Sequence, residues 1–418
     1  MKTTQFGSIA FLRFLLTALA LFPTGNAVAT SPLLIDHNDV DIAALSSNQI
    51  NRAKAVLHIG YGHTSHGSQL TTGMSGLVGF ANGGGLGMTH TNDIFAFNNG
   101  GAGGALDLQE GGGLNGDCGY YPQWYNNTVN YLDDPSHADV NVVIWSWCGQ
   151  MPGKYSSGTL TNEYLAPMSL LEDSYPDVVF VYMTGHVDIW DDADQKAACQ
   201  VIRNYCATNN KVLYDFADIE HYDPDGTFFE FVADSCDYYS GAGTGKLGNW
   251  ATEWQDSHTE NVDWYSCTSA HSQPLNANQK AYAAWALWCA LAEDLDRDGI
   301  ADEWEERYGG CGLFDEGEHD QDGDGSTDYA EFVADTNPTN PASSLQIGEV
   351  VVDGTTSVVR FDSSAERVYG LEWSSNLVDG GWAGVAGQTN QPGSGGSMSL
   401  TGTSANASSF YRVEVAIP

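Results

Sequence analysis

Short continuous apolar runs alternate with helix-like stretches along the first three hundred residues, and this leaves few folds open. Residues 140–145 (VNVVIW) and 178–183 (VVFVYM) do not alternate apolar with polar side chains. Each therefore reads as a strand buried on both faces. Residues 55–59, 93–97 and 212–216 read as three further strands, and residues 162–174, 193–208 and 276–291 as helices. Strands separated by helices predict an α/β domain with a parallel sheet and helices on both faces. Crossovers in such a sheet are right-handed, and ligands collect beyond the carboxyl ends of its strands.

The stretch AVLHIGYGHTSHGSQL, residues 55–70, places chemistry at such an end. An apolar strand runs into Gly60-Tyr61-Gly62, read as a tight turn. An apolar pattern then resumes at Leu70, Met74 and Leu77. Ser65 falls on the turn, near a helix N-terminus whose free N–H groups favour negative charge. It is the candidate nucleophile; the competing reading makes it a helix cap. A serine hydroxyl needs a base to take its proton. His271, in a loop before the last helix of the domain, is the candidate. Asp263, Asp188 and a backbone carbonyl are candidates to orient its ring. His63, His186 and Asp188 are candidate substrate contacts. A metal-dependent site using His63, His66 and His186 is a rival reading.

The formal charge of −39 argues against nucleic acid or an anionic membrane as partner. Residues 1–29 read as a secretory signal, with an apolar core at 11–22 and the small-x-small site Ala27-Val28-Ala29. A secreted product with no membrane span follows. Eight cysteines in an exported chain predict disulfides, with the pairing left open. Cys199 and Cys206, about 10 Å apart along one helix by rise alone, share a face without bonding each other.

Residues 293–335 hold 17 acids against two arginines. Asp294, Asp296, Asp298, Asp302 and Glu305 occupy positions 1, 3, 5, 9 and 12 of a loop with Gly299 at position 6. Asp320, Asp322, Asp324, Asp328 and Glu331 repeat the spacing around Gly325. Calcium takes six to eight hard oxygens, a glycine for the turn and a late bidentate glutamate. The spacing predicts structural Ca2+; no cofactor is expected for catalysis. Residues 343–418, rich in Ser, Gly and Val with alternating segments, read as a small all-β module of β-sandwich type. The domains are then 1–29, 30–292, 293–342 and 343–418.

The order of elements in residues 50–292 resembles the SGNH (GDSL-type) hydrolases, which implies a flavodoxin-like sheet and ester hydrolysis. Gly62-His63-Thr64-Ser65-His66-Gly67 stands at the family's nucleophile block, without its aspartate. The resemblance assigns the oxyanion-hole amide to Gly103, in the glycine-rich loop at residues 100–104. It assigns the side-chain donor to Gln150 in Trp147-Cys148-Gly149-Gln150. His271 stands where the family has its histidine, with Thr268 in place of the accompanying aspartate. The acidic segment, followed by Asp335-Thr336-Asn337-Pro338, is similar to thrombospondin type 3-like calcium repeats. Together these imply a secreted serine esterase acting on a small-molecule or polysaccharide ester, with acyl or acetyl groups on carbohydrate as the expected substrate. Its C-terminal module would attach to a cell surface or polysaccharide. The alternative is a non-catalytic carbohydrate- or surface-binding protein on the same scaffold.

Overall fold

The computed structural model describes residues 31–309, 319–376, 381–404 and 409–418. The expected signal segment and Cys311 lie outside them. The chain divides into two compact units, the break falling after Glu303.

The first unit is built on seven strands, all parallel. They are β1 (Leu33–Ile35), β2 (His58–His63), β3 (Phe97–Asn98), β4 (Leu106–Asn115), β5 (Val142–Trp145), β6 (Val179–Met183) and β7 (Val212–Tyr214). Across the sheet they run β1-β7-β6-β5-β2-β4-β3. From β2 the chain moves one way to β4 and the other way to β5, so the order reverses at β2. Such a switch point opens a crevice at the carboxyl ends of the strands.

Alternation along the strands builds two cores. Val142 and Ile144 join Ile59, Tyr61 and Val181 on the face covered by α1 (Ser47–Val56), α2 (Ser68–Asn82) and the long helix Pro274–Glu293. Val143, Trp145, Phe180 and Tyr182 point the other way. They pack on α3 (Gln123–Leu132), α4 (Met151–Ser156), α5 (Ala166–Ser174) and α6 (Asp192–Thr208). The short α7 (Phe216–Ile219) and α8 (Trp250–Ser257) precede the long helix, here α9. Buried nearly all round, α9 approaches α2 so closely that a Cβ at Gly73 would lie 2.1 Å from the Ala277 carbonyl oxygen.

Three sequence expectations change. Gly60 and Gly62 belong to β2 and not to a turn. Glycine is needed there for close packing: a Cβ on Gly62 would sit 2.2 Å from the Trp145 ring. The strand expected at 93–97 shrinks to the edge strand β3, while β4 supplies the inner strand beside β2. Its run of three glycines, Gly111 to Gly113, conceals the apolar pattern. Residues 221–265, read as aperiodic, contain the hairpin β8 (Asp237–Gly241) and β9 (Thr244–Asn249).

The second unit is a small antiparallel β region. One sheet pairs β10 (Ile347–Asp353), β11 (Thr356–Asp362) and β15 (Ser397–Thr403). The other centres on β12 (Val368–Ser374), flanked by β13 (Ala383–Gly384), β14 (Gln391–Pro392) and β16 (Phe410–Ala416). Val359, Phe361, Tyr369, Leu371, Leu400 and Val413 form their shared core. Helix α10 (Asp302–Tyr308) lies across the boundary in sequence, and α11 (Asp328–Ala334) precedes the strands. Among the described residues no helix is long and apolar enough to cross a membrane.

Candidate active site at the carboxyl edge of the sheet

Turns leaving β2, β5 and β6 bring His66, Cys148 and His186 to one rim. The excursion after β7 adds Asp234, and the loop before α9 adds His271. His66 is only 6% exposed. Its ring stacks on His186, centroids 3.9 Å apart, and on His271, 4.3 Å apart. Nε2 lies 3.1 Å from Asp234 Oδ2, and Nδ1 lies 3.4 Å from Cys148 Sγ. Thiol, imidazole and carboxylate therefore form one hydrogen-bonded chain through a nearly buried ring. Burial holds the His66 pKa below the usual imidazole range, and His186 and His271 act the same way; Asp234 opposes them. Burial alone would raise the Asp234 carboxyl, but its hydrogen bond to His66 and the neighbouring histidines hold it below the usual carboxylate range.

Beneath the rim is a buried ion pair. Lys280 Nζ on α9 meets Glu220 Oε1 at 2.5 Å and also donates to Gln69 Oε1, with both charged side chains essentially inaccessible. Its ammonium sits 3.5 Å from the centroid of the Phe216 ring. Glu220 Oε2 accepts the Val187 N–H at 2.7 Å, and Gln69 Nε2 donates to the Ala270 carbonyl at 2.5 Å. Asn276 Nδ2 donates to Glu220 Oε1 and to Ser272 Oγ, which lies 3.2 Å from Cys236 Sγ. The groups so fixed flank His186, His66, His271 and Asp234 in sequence. One network thus sets the positions of four loops. The Lys280 pKa is lowered by burial, with Glu220 opposing.

The expected site residues fall in different places. Ser65 is exposed on the turn after β2, and its hydroxyl meets no hydrogen-bond partner among the described residues. His271 is exposed on the same rim, with backbone φ of +65°. No hydrogen bond joins it to Ser65. His186 faces His66, its Nδ1 donating to the Val187 carbonyl at 2.7 Å. His63 is engaged elsewhere, Nε2 lying 2.9 Å from Glu110 Oε1. Asp188 caps the next turn by accepting the Trp190 N–H, and Asp263 accepts the Thr259 N–H. The acid touching the imidazoles is Asp234. Gln150 folds back on its own turn: Oε1 accepts the Cys148 N–H, while Nε2 lies 3.4 Å from Asp117 Oδ2.

Gly103 lies at the opposite edge of the sheet. Its loop leads into the amino end of β4, and Gly100 N–H donates to Asp107 Oδ1 there. Asp107 pairs in register with His58, the first residue of β2, whereas Ser65 follows the last. The expected oxyanion amide therefore faces away from Ser65. The loop does follow a strand, β3, but β3 pairs only with the first two residues of β4, so its end lies at the amino end of the inner strands.

Sequence reasoning missed Cys148 and Asp234 as site residues. Cys148 carried a signal, a reactive side chain three residues past a buried strand. Asp234 carried none, being one of many acids in an aperiodic stretch. The seven described cysteines are all free, so the expected disulfides do not form among them. The thiols of Cys118, Cys199, Cys206, Cys236 and Cys289 are buried.

Both acidic loops turn as their spacing requires. Asp320 accepts the N–H groups of Gly323 and Gly325, the latter at φ +98°. Asp322 Oδ2, Asp324 Oδ2 and Glu331 Oε2 are buried and meet no hydrogen-bond donor, and neither does Asp294 Oδ1 in the first loop. Burial and like charges raise Glu331 to about 7 and Asp294 to about 6. Oxygens of Asp294, Asp296 and Asp302 converge within 4.8 Å. Converging carboxylate oxygens, with others nearby buried and lacking a donor, are the donor set a hard cation takes.

Comparison with family models, curated proteins and solved structures gives no match to this chain.

Proposed function

We propose that this chain is an exported hydrolase that cleaves an ester, removing an acyl or acetyl group from a carbohydrate, with Cys148 as nucleophile and His66 as base. The observation that carries the reading is the chain of contacts from Cys148 Sγ to His66 Nδ1 and from His66 Nε2 to Asp234. Asp234 holds the proton on Nε2 and leaves the Nδ1 lone pair facing the thiol. The thiol proton passes to Nδ1 and the thiolate attacks the ester carbonyl. Imidazolium returns that proton to the departing alcohol, leaving a thioester. Water, deprotonated by the same nitrogen, then releases the acid and restores the thiol. The inner strands β4-β2-β5-β6-β7 carry the order of a flavodoxin-like sheet, which supports a ligand crevice at β2. Trp190, 73% exposed, with Tyr120 and Tyr121, offers rings at the strand ends for a sugar to stack on.

A second reading keeps Ser65 as nucleophile and His271 as base. It is favoured by the exposed, unpartnered Ser65 hydroxyl on the same rim. The acidic loops, on this account, hold structural Ca2+, and the β module attaches the enzyme to a surface. Hydrolysis of p-nitrophenyl acetate by residues 30–418 tests both readings. Cys148→Ser and His66→Gln are each expected to lower kcat/KM by on the order of 10³, while Ser65→Ala stays within about threefold. The reverse result selects the second reading. Inactivity on every ester tried, with sugar binding retained, selects the non-catalytic alternative.

A further inference from the structure

We propose that His66, Asp234 and His271 form a binding site for a zinc-class divalent cation. One ring nitrogen of each histidine and a carboxylate oxygen of Asp234 lie within 4.8 Å of one another. Around a tetrahedral ion with bonds of about 2.0–2.1 Å, donor atoms stand roughly 3.3 Å apart. His66 Nε2 and Asp234 Oδ2 already stand at 3.1 Å. His271, whose ring now stacks on that of His66 at 16°, has to turn out of that stack until its nitrogen points at the same ion. Its side chain is exposed, and no hydrogen bond holds either ring nitrogen among the described residues.

The donor set selects the class of metal. Two imidazoles and one carboxylate suit zinc, cobalt or nickel, whereas the all-oxygen acidic loops suit calcium. Support behind the donors fits as well. Metal-bound imidazoles are oriented by a partner on the other ring nitrogen, and Cys148 Sγ sits 3.4 Å from His66 Nδ1. His186 holds the ring from one side, and the Gln69–Ala270 hydrogen bond anchors the residue before His271. Three protein donors leave the fourth position to water.

Binding as such does not depend on the hydrolase reading. One consequence does: an ion on His66 Nε2 displaces the proton that Asp234 holds there, so zinc and thiol-based turnover exclude each other.

The test is a Co2+ titration of residues 30–418 in millimolar Ca2+, which keeps the acidic loops filled. Visible d–d absorption is the readout, and Zn2+ displacement gives the affinity. The expected result is one ion per chain, with affinity at least about tenfold weaker in Asp234→Asn and in His271→Ala, and unchanged in Ser65→Ala. His271 is a surface residue, so its variant keeps the fold; circular dichroism checks this. No absorption at 100-fold molar excess of Co2+ would overturn the proposal, as would equal affinity in wild type and both variants. Loss of ester hydrolysis with Co2+ binding intact would count only against the hydrolase reading.

Discussion

The two regions richest in buried charge solve the same electrostatic problem in opposite ways. Under the sheet rim, Lys280 and Glu220 neutralise each other, and the remaining Glu220 acceptor sites are filled by Val187 N–H and Asn276. In the acidic loop around Gly325, buried oxygens of Asp322, Asp324 and Glu331 meet no hydrogen-bond donor, and the two aspartates act on Glu331 as like charges. An ionised group is costly to bury unless paired. The first region is therefore self-sufficient, and its job is to hold loops in place. The second leaves its buried oxygens without a donor from the chain, and on the calcium reading proposed above its stability becomes a function of cation and pH.

Removing Lys280 should break this contrast most severely. Lys280→Met leaves Glu220 buried without its cation, and such losses typically amount to about 3–5 kcal/mol. Urea unfolding should show that loss for the α/β unit, and adding Glu220→Gln should recover part of it. A double variant no more stable than Lys280→Met would mean that the two groups are not energetically coupled.

Calcium should act on the acidic loops and not on the Lys280 pair. With the ion at a hundredfold excess over its dissociation constant, mass action contributes about 2.7 kcal/mol. Chelation is thus expected to lower the melting temperature of the C-terminal unit through the loop around Gly325, and to cost the α/β unit only what its own loop at Asp294, Asp296 and Asp302 contributes. Calorimetry in EDTA, then with Ca2+ or Mg2+ restored, checks this. Equal rescue by Mg2+ would argue against a calcium loop.

The pH response sharpens the same comparison. Glu331 and Asp294 have folded pKa values raised above their unfolded ones, to about 7 and about 6. The folded chain then holds more protons than the unfolded one. Without calcium, their contribution is fully present below about pH 4 and is lost as pH rises through 6 and 7. Calcium, which binds the ionised form, should flatten that decline. Melting curves from pH 4 to 8 with and without Ca2+ measure it. A calcium-free protein that grows more stable over that range would contradict the account. At the rim the group that matters is His66, lowered by burial, so ester hydrolysis should persist to below pH 6.5 before its acid limb begins.

Much of this was readable in the chain, and the failures have physical causes. The buried strands at 142–145 and 179–183 announced themselves because both faces are covered and no polar residue interrupts them. β4 was concealed because its glycines carry no side chain to show a period. Gly60 and Gly62 looked like a turn because glycine composition does not distinguish conformational freedom from lack of room; only the Trp145 ring decides it. The acidic spacing was legible because one loop carries all its ligands in order. The rim was not, since Asp234 reaches His66 across 168 residues. Gly103 tests how far the resemblance extends. It sits at φ +73° with open space around it, so Gly103→Ala should cost about 1 kcal/mol of stability and leave turnover unchanged. A loss of turnover without loss of stability would return that loop to the active site.

The most direct test of the central claim is to trap the acyl group. The chain from residue 30 onward would be mixed with p-nitrophenyl acetate, quenched in acid within the first turnover, digested and mapped by mass spectrometry. The account predicts acetyl on the peptide that contains Cys148, absent in His66→Gln. Acetyl on the Ser65 peptide instead, or on Cys148 to the same extent in His66→Gln, would contradict it.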